Sequence, residues 1–384
     1  MGIRSTSRRA RTRKALGTGL VTGVAALVTI ASSGVGASVA PRSSGPVVTL
    51  NGAGSTFDQP FFTRAFYVYH QMKPNITINY ASIGSGGGEQ QFESHTVNFG
   101  ASDVPMLTAD LAKVPASAGP VIQVPVALGG EAIAYNLPGV ATGLHITPSV
   151  LASIFLGQIK NWDDSPIAAL NPKAHLPNEA ITVVHRADSS GTTYIFTNYL
   201  ADVSPTWSSQ IGIAKAVQWP VGIGGQGNEG VAGAIQQTPG AIGYVELAYV
   251  LQAKMTVFAL QNPKGVYVMP TRKSVAADAA LHPHVSATNF AITNLGGSTT
   301  SYPISGYSWA LIYQNQSSAT TGSSLVDLLY WLSQGNGGQK AAGALGYVPL
   351  PNNVQQLATT ELEKVVGPSG KLLPSGAALA KLLK

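Results

Sequence analysis

Four loops rich in glycine, serine and threonine each precede a predicted helix, and this repeated arrangement limits what the chain can fold into. The loops span residues 52–57, 84–88, 189–193 and 222–230. Short apolar segments with the character of β-strands precede the first three loops. Strand, loop and helix in this succession are typical of an α/β fold that contains parallel strands.

Two long apolar segments, 121–136 and 302–313, are predicted to be strands that cross between two halves of the molecule. The chain has 384 residues, which is enough for two cores at roughly 100–200 residues per domain. Only 10% of the residues are charged, whereas there are 43 glycines and 24 prolines. This composition indicates a compact, turn-rich fold and excludes a disordered or coiled-coil chain.

The N-terminal segment has the composition of an export signal. Six arginine and lysine residues precede the apolar segment 15–31, and Ala37 and Ala40 offer small-residue cleavage sites. We expect residues 1–40 to be a signal peptide, and cleavage after Ala37 is favoured because a proline follows Ala40. An uncleaved membrane anchor is the alternative for the same segment.

Removal of this signal would change the net charge, which is +6 for the whole chain. The signal holds six of the 23 basic residues, so 17 basic and 17 acidic residues would remain. A near-neutral protein gives no electrostatic reason to expect nucleic acid as a partner. The sequence contains no cysteine, which excludes disulfides, thiolate metal ligands and lipid attachment through cysteine. We therefore expect an exported protein that is not a lipoprotein, located in the periplasm or outside the cell.

The segment 185–196, which reads HRADSSGTTYIF, combines a cation, several hydroxyls and a glycine at a predicted helix start. The free N–H groups and the positive dipole end of a helix favour an anion, and Arg186 adds a planar fork of donors. Asp188 is close enough in sequence to pair with Arg186 and hold it in place. An ordinary serine or threonine N-cap beside a surface ion pair is the alternative.

Asp103 follows a predicted buried strand, at the end of the strand where ligand sites of α/β sheets gather. A carboxylate in an anion site is repulsive unless the ligand brings a proton for it to accept. A plain Asx-turn is the alternative for this residue.

Other motifs are weaker. Residues 222–227 match G-x-G-x-x-G, with Glu246 about twenty residues on, but no clear strand precedes them, which argues against a dinucleotide site. The sequence has neither a G-x-x-x-x-G-K-[ST] loop nor a G-x-S-x-G elbow. His282 and His284 have no third ligand nearby and are assigned to a loop. We therefore predict no metal and no cofactor.

Five motifs follow one another along the chain. They are NGAGSTF, IGSGGGEQQF, VNFGASDVPM, HRADSSGTTYIFTNYL and GGQGNEGVAGAIQQTPGAIGYVELAY. Together they resemble, in order and spacing, the phosphate-binding proteins of bacterial phosphate ABC importers, over about residues 49 to 354. The resemblance implies a two-lobed, type II periplasmic-binding-protein fold of the α/β class with hinge-crossing strands, which closes over one dehydrated phosphate.

The resemblance also implies the roles of individual residues. Loop hydroxyls and amides would donate to the phosphate, Arg186 would pair with its charge, Asp188 would support Arg186, and Asp103 would accept the phosphate proton. The implied phosphate-binding residues are Thr56, Phe57, Ser85, Asp103, Arg186, Ser190, Gly191 and Thr192. The chain departs from the family in having Ser189 where glycine is frequent, and in lacking a lipid-attachment cysteine.

By the same resemblance, we expect an exported monomer that captures inorganic phosphate and delivers it to the transmembrane permease subunits of an ABC importer, without catalysis. Lobe 1 would comprise residues 47–124 and 301–364, lobe 2 residues 125–300, and the C-terminal tail residues 365–384. Two alternatives stay open: a paralogue that binds another oxyanion, and a secreted phosphoester hydrolase that uses Ser190. The hydrolase alternative is less favoured, because the sequence places neither a general base near this serine nor a metal-binding cluster.

Overall fold

The computed structural model describes residues 45–373. The predicted signal peptide and the last part of the predicted tail lie outside the described residues. The strands are β1 (Val48–Gly54), β2 (Ile76–Ser82), β3 (Phe99–Ser102), β4 (Val121–Asn136), β5 (His145–Ile146), β6 (Thr182–Arg186), β7 (Ile223–Gly225), β8 (Ala241–Glu246), β9 (Thr256–Val257), β10 (Ala259–Gln261), β11 (Tyr267–Val268) and β12 (Ser305–Tyr313).

Helices cover the sheet and follow most of its strands. They are α1 (Gln59–Met72), α2 (Ser85–Glu93), α3 (Thr108–Leu111), α4 (Pro148–Phe155), α5 (Ser165–Ala168), α6 (Gly191–Val203), α7 (Pro205–Gln210), α8 (Gly227–Gln237), α9 (Leu247–Ala253), α10 (Arg272–Ala279), α11 (Ala319–Ser333), α12 (Gln339–Leu345) and α13 (Asn352–Leu362). None of the helices between residues 45 and 373 is long and apolar enough to cross a membrane.

The main sheet is mixed, and its strand order is β2-β1-β3-β12-β4-β8-β6-β7, with β9 paired to β4. Strand β1 is parallel to β2 and β3, and β6 is parallel to β7 and β8, so each half of the sheet contains parallel strands. The central pair β4 and β12 is antiparallel and runs through both halves. The α/β class predicted from the loops is confirmed.

Two groups of apolar side chains divide the molecule into two lobes. The first core includes Leu50 of β1 and Phe61 of α1, whereas the second includes Phe196 of α6 and Tyr244 of β8. The long strand β4 contributes Val124 to the first core and other side chains to the second, and β12 is divided in the same way. These two strands are the hinge-crossing strands that the sequence predicts, and the two-lobed fold is confirmed.

The central strand pair contains an irregularity that places a serine at the centre of the molecule. Ser308 is opposite Ala127, but the next residue, Trp309, is opposite Pro125, so the register shifts by one residue. Proline lacks an N–H and is tolerated inside a sheet at such bulges. The side chain of Ser308 is fully buried there.

Some boundaries differ from those predicted. Helix α2 begins at Ser85, inside the glycine-rich segment that the sequence assigns to a loop, and β1 extends to Gly54. A short strand, β7, lies within the G-x-G-x-x-G match. The first part of the predicted tail is packed, because Val365 is fully buried against the first core. Val348, Leu350 and Val354, which the sequence places in lobe 1, pack with the second core.

Candidate anion-binding site

The first part of the site is the loop that joins β1 to α1. Strand β1 lies between β2 and β3, so its C-terminal end opens at the middle of the first lobe's strands. Ser55 accepts a hydrogen bond from the backbone N–H of Phe57 at 3.0 Å and donates to Asp103, the residue after β3. Ser55, Thr56 and Phe57 are all buried.

Ser85, the first residue of α2, connects the two lobes. Its Oγ accepts a hydrogen bond from the backbone N–H of Gly191 at 3.0 Å, and it lies 3.4 Å from the N–H of Asp103. Gly191 begins α6 in the second lobe, where the side chain of Ser190 caps the helix by accepting from the N–H of Thr193 at 3.2 Å. A Cβ at position 191 would lie 2.6 Å from the Cβ of Asp103, so only glycine allows this approach.

Arg186 ends β6 and is 3% exposed. It donates from two nitrogens to the carboxylate of Asp188, with an Nε–Oδ1 distance of 2.7 Å, and from Nη1 to Thr192 at 3.2 Å. Burial alone would lower the pKa of Arg186, but the hydrogen bonds and the charge of Asp188 raise it. Burial likewise opposes ionisation of Asp188, yet Arg186 holds the pKa of that carboxyl below its ordinary value. The guanidinium is therefore a fixed positive charge in the interior.

Asp103 lies between the lobes and is 2% exposed. Its Oδ1 accepts hydrogen bonds from the hydroxyls of Ser55 and Ser308, the latter at 3.2 Å, and its Oδ2 accepts from Thr192 at 3.0 Å. Burial raises the pKa of Asp103, whereas these hydroxyls and Arg186 oppose the increase. Asp103 is thus a buried acceptor next to a buried cation.

The structure brings every sequence-predicted site residue into this one cluster. Their contact with a ligand stays a prediction, because the contacts described here are among the protein's own groups. What the cluster offers chemically is a set of fixed donors from both lobes, one guanidinium and one carboxylate. Such a set suits a small oxyanion that carries a proton.

Comparison with known proteins identifies the family. The sequence profile of a PBP superfamily domain matches residues 40–333. The phosphate-binding protein PstS of Xylella fastidiosa (strain Temecula1 / ATCC 700964) is 43% identical over 310 residues, which are 80% of this chain and 83% of that protein. The PstS of Pasteurella multocida (strain Pm70) is 40% identical over 329 residues, 85% of this chain and 93% of that one. The chain belongs to the phosphate-binding protein family. The resemblance stated from the motifs is confirmed.

A solved phosphate-binding protein from Stenotrophomonas maltophilia has the same fold as this member of the family. It superposes with a TM-score of 0.61 at 19% identity, over 80% of this chain and 92% of that chain. The two-lobed arrangement therefore agrees with an experimental structure that has little sequence in common with this chain.

In this member of the phosphate-binding protein family, sequence reasoning missed Asn228, which is fully buried near the start of α8. Its backbone N–H and its Nδ2 both donate to the hydroxyl of Thr56 at 3.0 Å, and Nδ2 also lies 3.2 Å from that of Thr192. Its Oδ1 accepts from the N–H of Glu246 at 3.0 Å. The loop before α8 was a predicted donor loop, but nothing local distinguishes this asparagine from its polar neighbours.

Three further polar residues near the site were also missed: Asp58, Ser308 and Lys215. Ser308 is one of two serines in β12, the other being Ser305, and Asp58 resembles an ordinary helix cap. Lys215, in the second lobe, pairs with Glu89 of α2 and with Asp110 of α3 at 3.2 Å. These contacts join residues more than 100 positions apart, so no local sequence pattern predicts them.

Proposed function

We propose that this protein is an extracytoplasmic solute-binding protein, which captures inorganic phosphate between its lobes and delivers it to the permease of an ABC importer. The relatives named above are phosphate-binding proteins. The observation that carries the proposal is the convergence of groups from both lobes: Ser85 and Asp103 from the first lobe contact Gly191 and Thr192 from the second. A ligand that replaced these contacts would bind both lobes and stabilise the closed state.

Each site residue has a proposed role. Arg186 provides the charge for the anion, and Asp188 fixes its orientation. Asp103 accepts the proton of the phosphate. The hydroxyl and backbone donors are supplied by Thr56, Phe57, Ser85, Ser190, Gly191 and Thr192.

Export, oligomeric state and partners belong to the same proposal. Residues 1–40 would direct export, and the mature protein would act as a soluble monomer without a lipid anchor, since the sequence has no cysteine. The lobes would comprise residues 47–124 with 301–364, and residues 125–300, with the side chains of Val348, Leu350 and Val354 packed against the second lobe. The transmembrane permease subunits of a phosphate ABC importer would be its partners.

We propose that the site binds without catalysing a reaction. The family consists of binding proteins, and the hydroxyl of Ser190, the candidate nucleophile, is engaged in capping α6. A nucleophilic serine needs an adjacent base to take its proton. Incubation of the protein with a chromogenic phosphoester should release no more product than buffer does.

Isothermal titration tests the binding function. Mature protein, first unfolded and refolded to remove bound ligand, should bind phosphate with micromolar or tighter affinity, or about −8 kcal/mol or better. Sulfate should bind far more weakly, because it brings no proton to Asp103. Absence of a phosphate signal at millimolar concentration, or tighter binding of sulfate, would contradict the proposal.

A further inference from the structure

Asp58 stands at the N-cap of α1 but does not cap the helix. An aspartate at this position normally accepts hydrogen bonds from the backbone N–H groups of the first turn. The side chain of Asp58 makes no such bond and is fully buried. Its Oδ2 lies instead 2.6 Å from the hydroxyl of Ser308 on β12.

Ser308 links this carboxyl to Asp103. The same Oγ that contacts Asp58 lies 3.2 Å from Oδ1 of Asp103 and 3.2 Å from the carbonyl oxygen of Ser102. The register shift of β4 and β12 occurs at Ser308, which lies opposite Ala127. One hydroxyl is therefore shared by two buried carboxyl groups.

The hydroxyl of Ser308 has one proton, so the protonation of Asp58 decides where that proton goes. An ionised Asp58 would take it, because its oxygen is the nearest acceptor, and Asp103 would lose a donor. A protonated Asp58 donates to Ser308 instead, which frees the serine proton for Asp103. The contacts then form one directed chain from Asp58 through Ser308 to Asp103.

The surroundings favour the protonated form of Asp58. Among the described residues, its Oδ1 has no hydrogen-bond partner, and an ionised oxygen in that position would be costly. Burial and the negative charge of Asp103 raise the pKa of Asp58 well above its ordinary value. The other ionisable groups that interact with the charge of Asp58 are also acidic: Glu246, Tyr80, Tyr249 and Tyr347. Asp103 accepts from the hydroxyls of Ser55 and Thr192 and lies near Arg186, all of which oppose the effect of burial on its pKa, so it is the better placed of the two carboxyls to carry the charge.

We propose that Asp58, as a neutral carboxylic acid, is a positioning residue that directs the Ser308 proton onto Asp103 and thereby sets the selectivity of the site. This inference rests on the proposed function. With the chain intact, Asp103 remains an ionised acceptor, which suits an oxyanion carrying a proton and repels one without. Without the chain, Asp103 is protonated more readily and can donate to a fully ionised anion such as sulfate.

Two variants of Asp58 distinguish the effect of its hydrogen-bond donor from the effect of its volume. Asp58→Asn keeps an N–H that can donate to Ser308, whereas Asp58→Val keeps the bulk but has no donor. In Asp58→Val the Ser308 hydroxyl receives no hydrogen bond, so it donates more weakly and can turn to the carbonyl oxygen of Ser102, which is as close as Asp103. We therefore expect Asp58→Val to lower the ratio of phosphate to sulfate affinity by at least threefold, and Asp58→Asn to keep a ratio at least twofold above that of Asp58→Val. Titration calorimetry of both anions at one pH and salt concentration measures these ratios.

Variants of Ser308 provide a second test. Ser308→Ala should lower the same ratio at least as far as Asp58→Val does, and the double variant should lower it no further than Ser308→Ala, because Asp58 acts only through Ser308. Ser333→Ala, which removes another fully buried serine hydroxyl on α11, should leave the ratio unchanged. Infrared difference spectra at neutral pH should show a protonated carboxyl band in wild type that is lost in Asp58→Asn.

Three results would overturn the inference: an Asp58→Asn ratio as low as that of Asp58→Val, an unchanged ratio in Ser308→Ala, or no protonated carboxyl band assigned to Asp58. Each is measured on folded protein, as judged by circular dichroism. If wild type binds no phosphate at all, the proposed function fails instead. If wild type binds phosphate and discriminates against sulfate, but the variants give any of these three results, only the inference fails.

Discussion

At the scale of single residues, Asp103 is the group whose chemistry decides which anion can bind. Asp103→Asn keeps the shape of the side chain but replaces one acceptor oxygen by an N–H donor, which can face either Thr192 or the ligand. Repulsion of a fully ionised anion should then disappear. We expect the ratio of phosphate to sulfate affinity to fall at least about tenfold, or roughly 1.4 kcal/mol, mainly through tighter sulfate binding.

Competition titrations of both anions against wild type and Asp103→Asn measure this change. Asp163→Asn, at an exposed position in the second lobe, is the matched control and should keep the wild-type ratio. An unchanged ratio in a folded Asp103→Asn protein would remove Asp103 from the site.

The buried carboxyl of Asp278, on α10, should make the stability of the protein depend on pH. Burial raises the pKa of this carboxyl to about 8, and among the described residues neither of its oxygens has a hydrogen-bond partner. Between the ordinary pKa of aspartate, about 4, and that value, the native state holds one more proton than the unfolded chain. Native stability should therefore fall as the pH rises, by up to about 1.4 kcal/mol per pH unit from this residue.

Asp278→Asn removes that dependence because asparagine does not titrate. Relative to wild type, the variant should gain about 1–3 kcal/mol of unfolding free energy between pH 5 and pH 7. Urea unfolding at the two pH values measures the gain. Equal pH slopes for both proteins would show that Asp278 is not protonated in the native state.

The residues that could be predicted from sequence are those whose signal is local. Arg186, Asp188 and the hydroxyls after them lie within one short motif, and Asp103 lies at the end of a strand. The position of Asp58 predicts a helix cap, but its side chain is hydrogen-bonded instead to Ser308, 250 residues later. Asn228 likewise acquires its role from Thr56, 172 residues earlier. Such roles depend on the packed fold, and no local pattern encodes them.

At the scale of elements, the long apolar strand β4 was predicted with its observed ends, but the start of α2 was not. Helix propensity assigns the run 86–88 of three glycines to a loop. In the structure this run is helical because α2 packs very closely on β1: a Cβ at Gly88 would lie 2.3 Å from the Cα of Gly54. Tertiary packing outweighs the intrinsic preference here.

The start of α6 gives a prediction at this same scale. A Cβ at Gly191 would meet Asp103 of the other lobe, whereas a Cβ at Gly233 of α8 would meet nothing within 4 Å. Gly191→Ala should therefore hinder closure and weaken phosphate binding at least about tenfold, or 1.4 kcal/mol. Gly233→Ala is the matched control; equal phosphate affinities for the two variants, by calorimetry, would contradict this packing argument.

At the scale of the whole molecule, an ion-pair cluster joins the lobes beside the site. Lys215 of the second lobe reaches Glu89 and Asp110 of the first, and its side chain is 13% exposed. Glu89 also accepts a hydrogen bond at 2.8 Å from Ser102, the neighbour of Asp103. The backbone carbonyl of Lys215 accepts from the N–H of Ser190 at 2.8 Å. The cluster is thus connected to the site on both lobes, and it exists only when the lobes are together.

Lys215→Met keeps the length of the side chain but removes the charge that pairs across the cleft. The closed state should lose about 1–3 kcal/mol, which corresponds to a loss of roughly 5- to 150-fold in phosphate affinity. The loss should come mainly from faster dissociation, because most changes in affinity among variants of one site lie in the dissociation rate. Stopped-flow displacement of bound phosphate measures that rate.

Small-angle scattering tests whether the effect acts through closure. Wild type and Lys215→Met should reach the same compact radius of gyration at saturating phosphate, but the variant should need a higher phosphate concentration to reach it. Lys173→Met, at an exposed lysine of the second lobe, should behave as wild type. Adding Glu89→Gln to Lys215→Met should recover part of the affinity, since no unpaired carboxylate would then be buried on closing. Unchanged dissociation in Lys215→Met would mean that the hydrogen bonds of the site alone hold the lobes together.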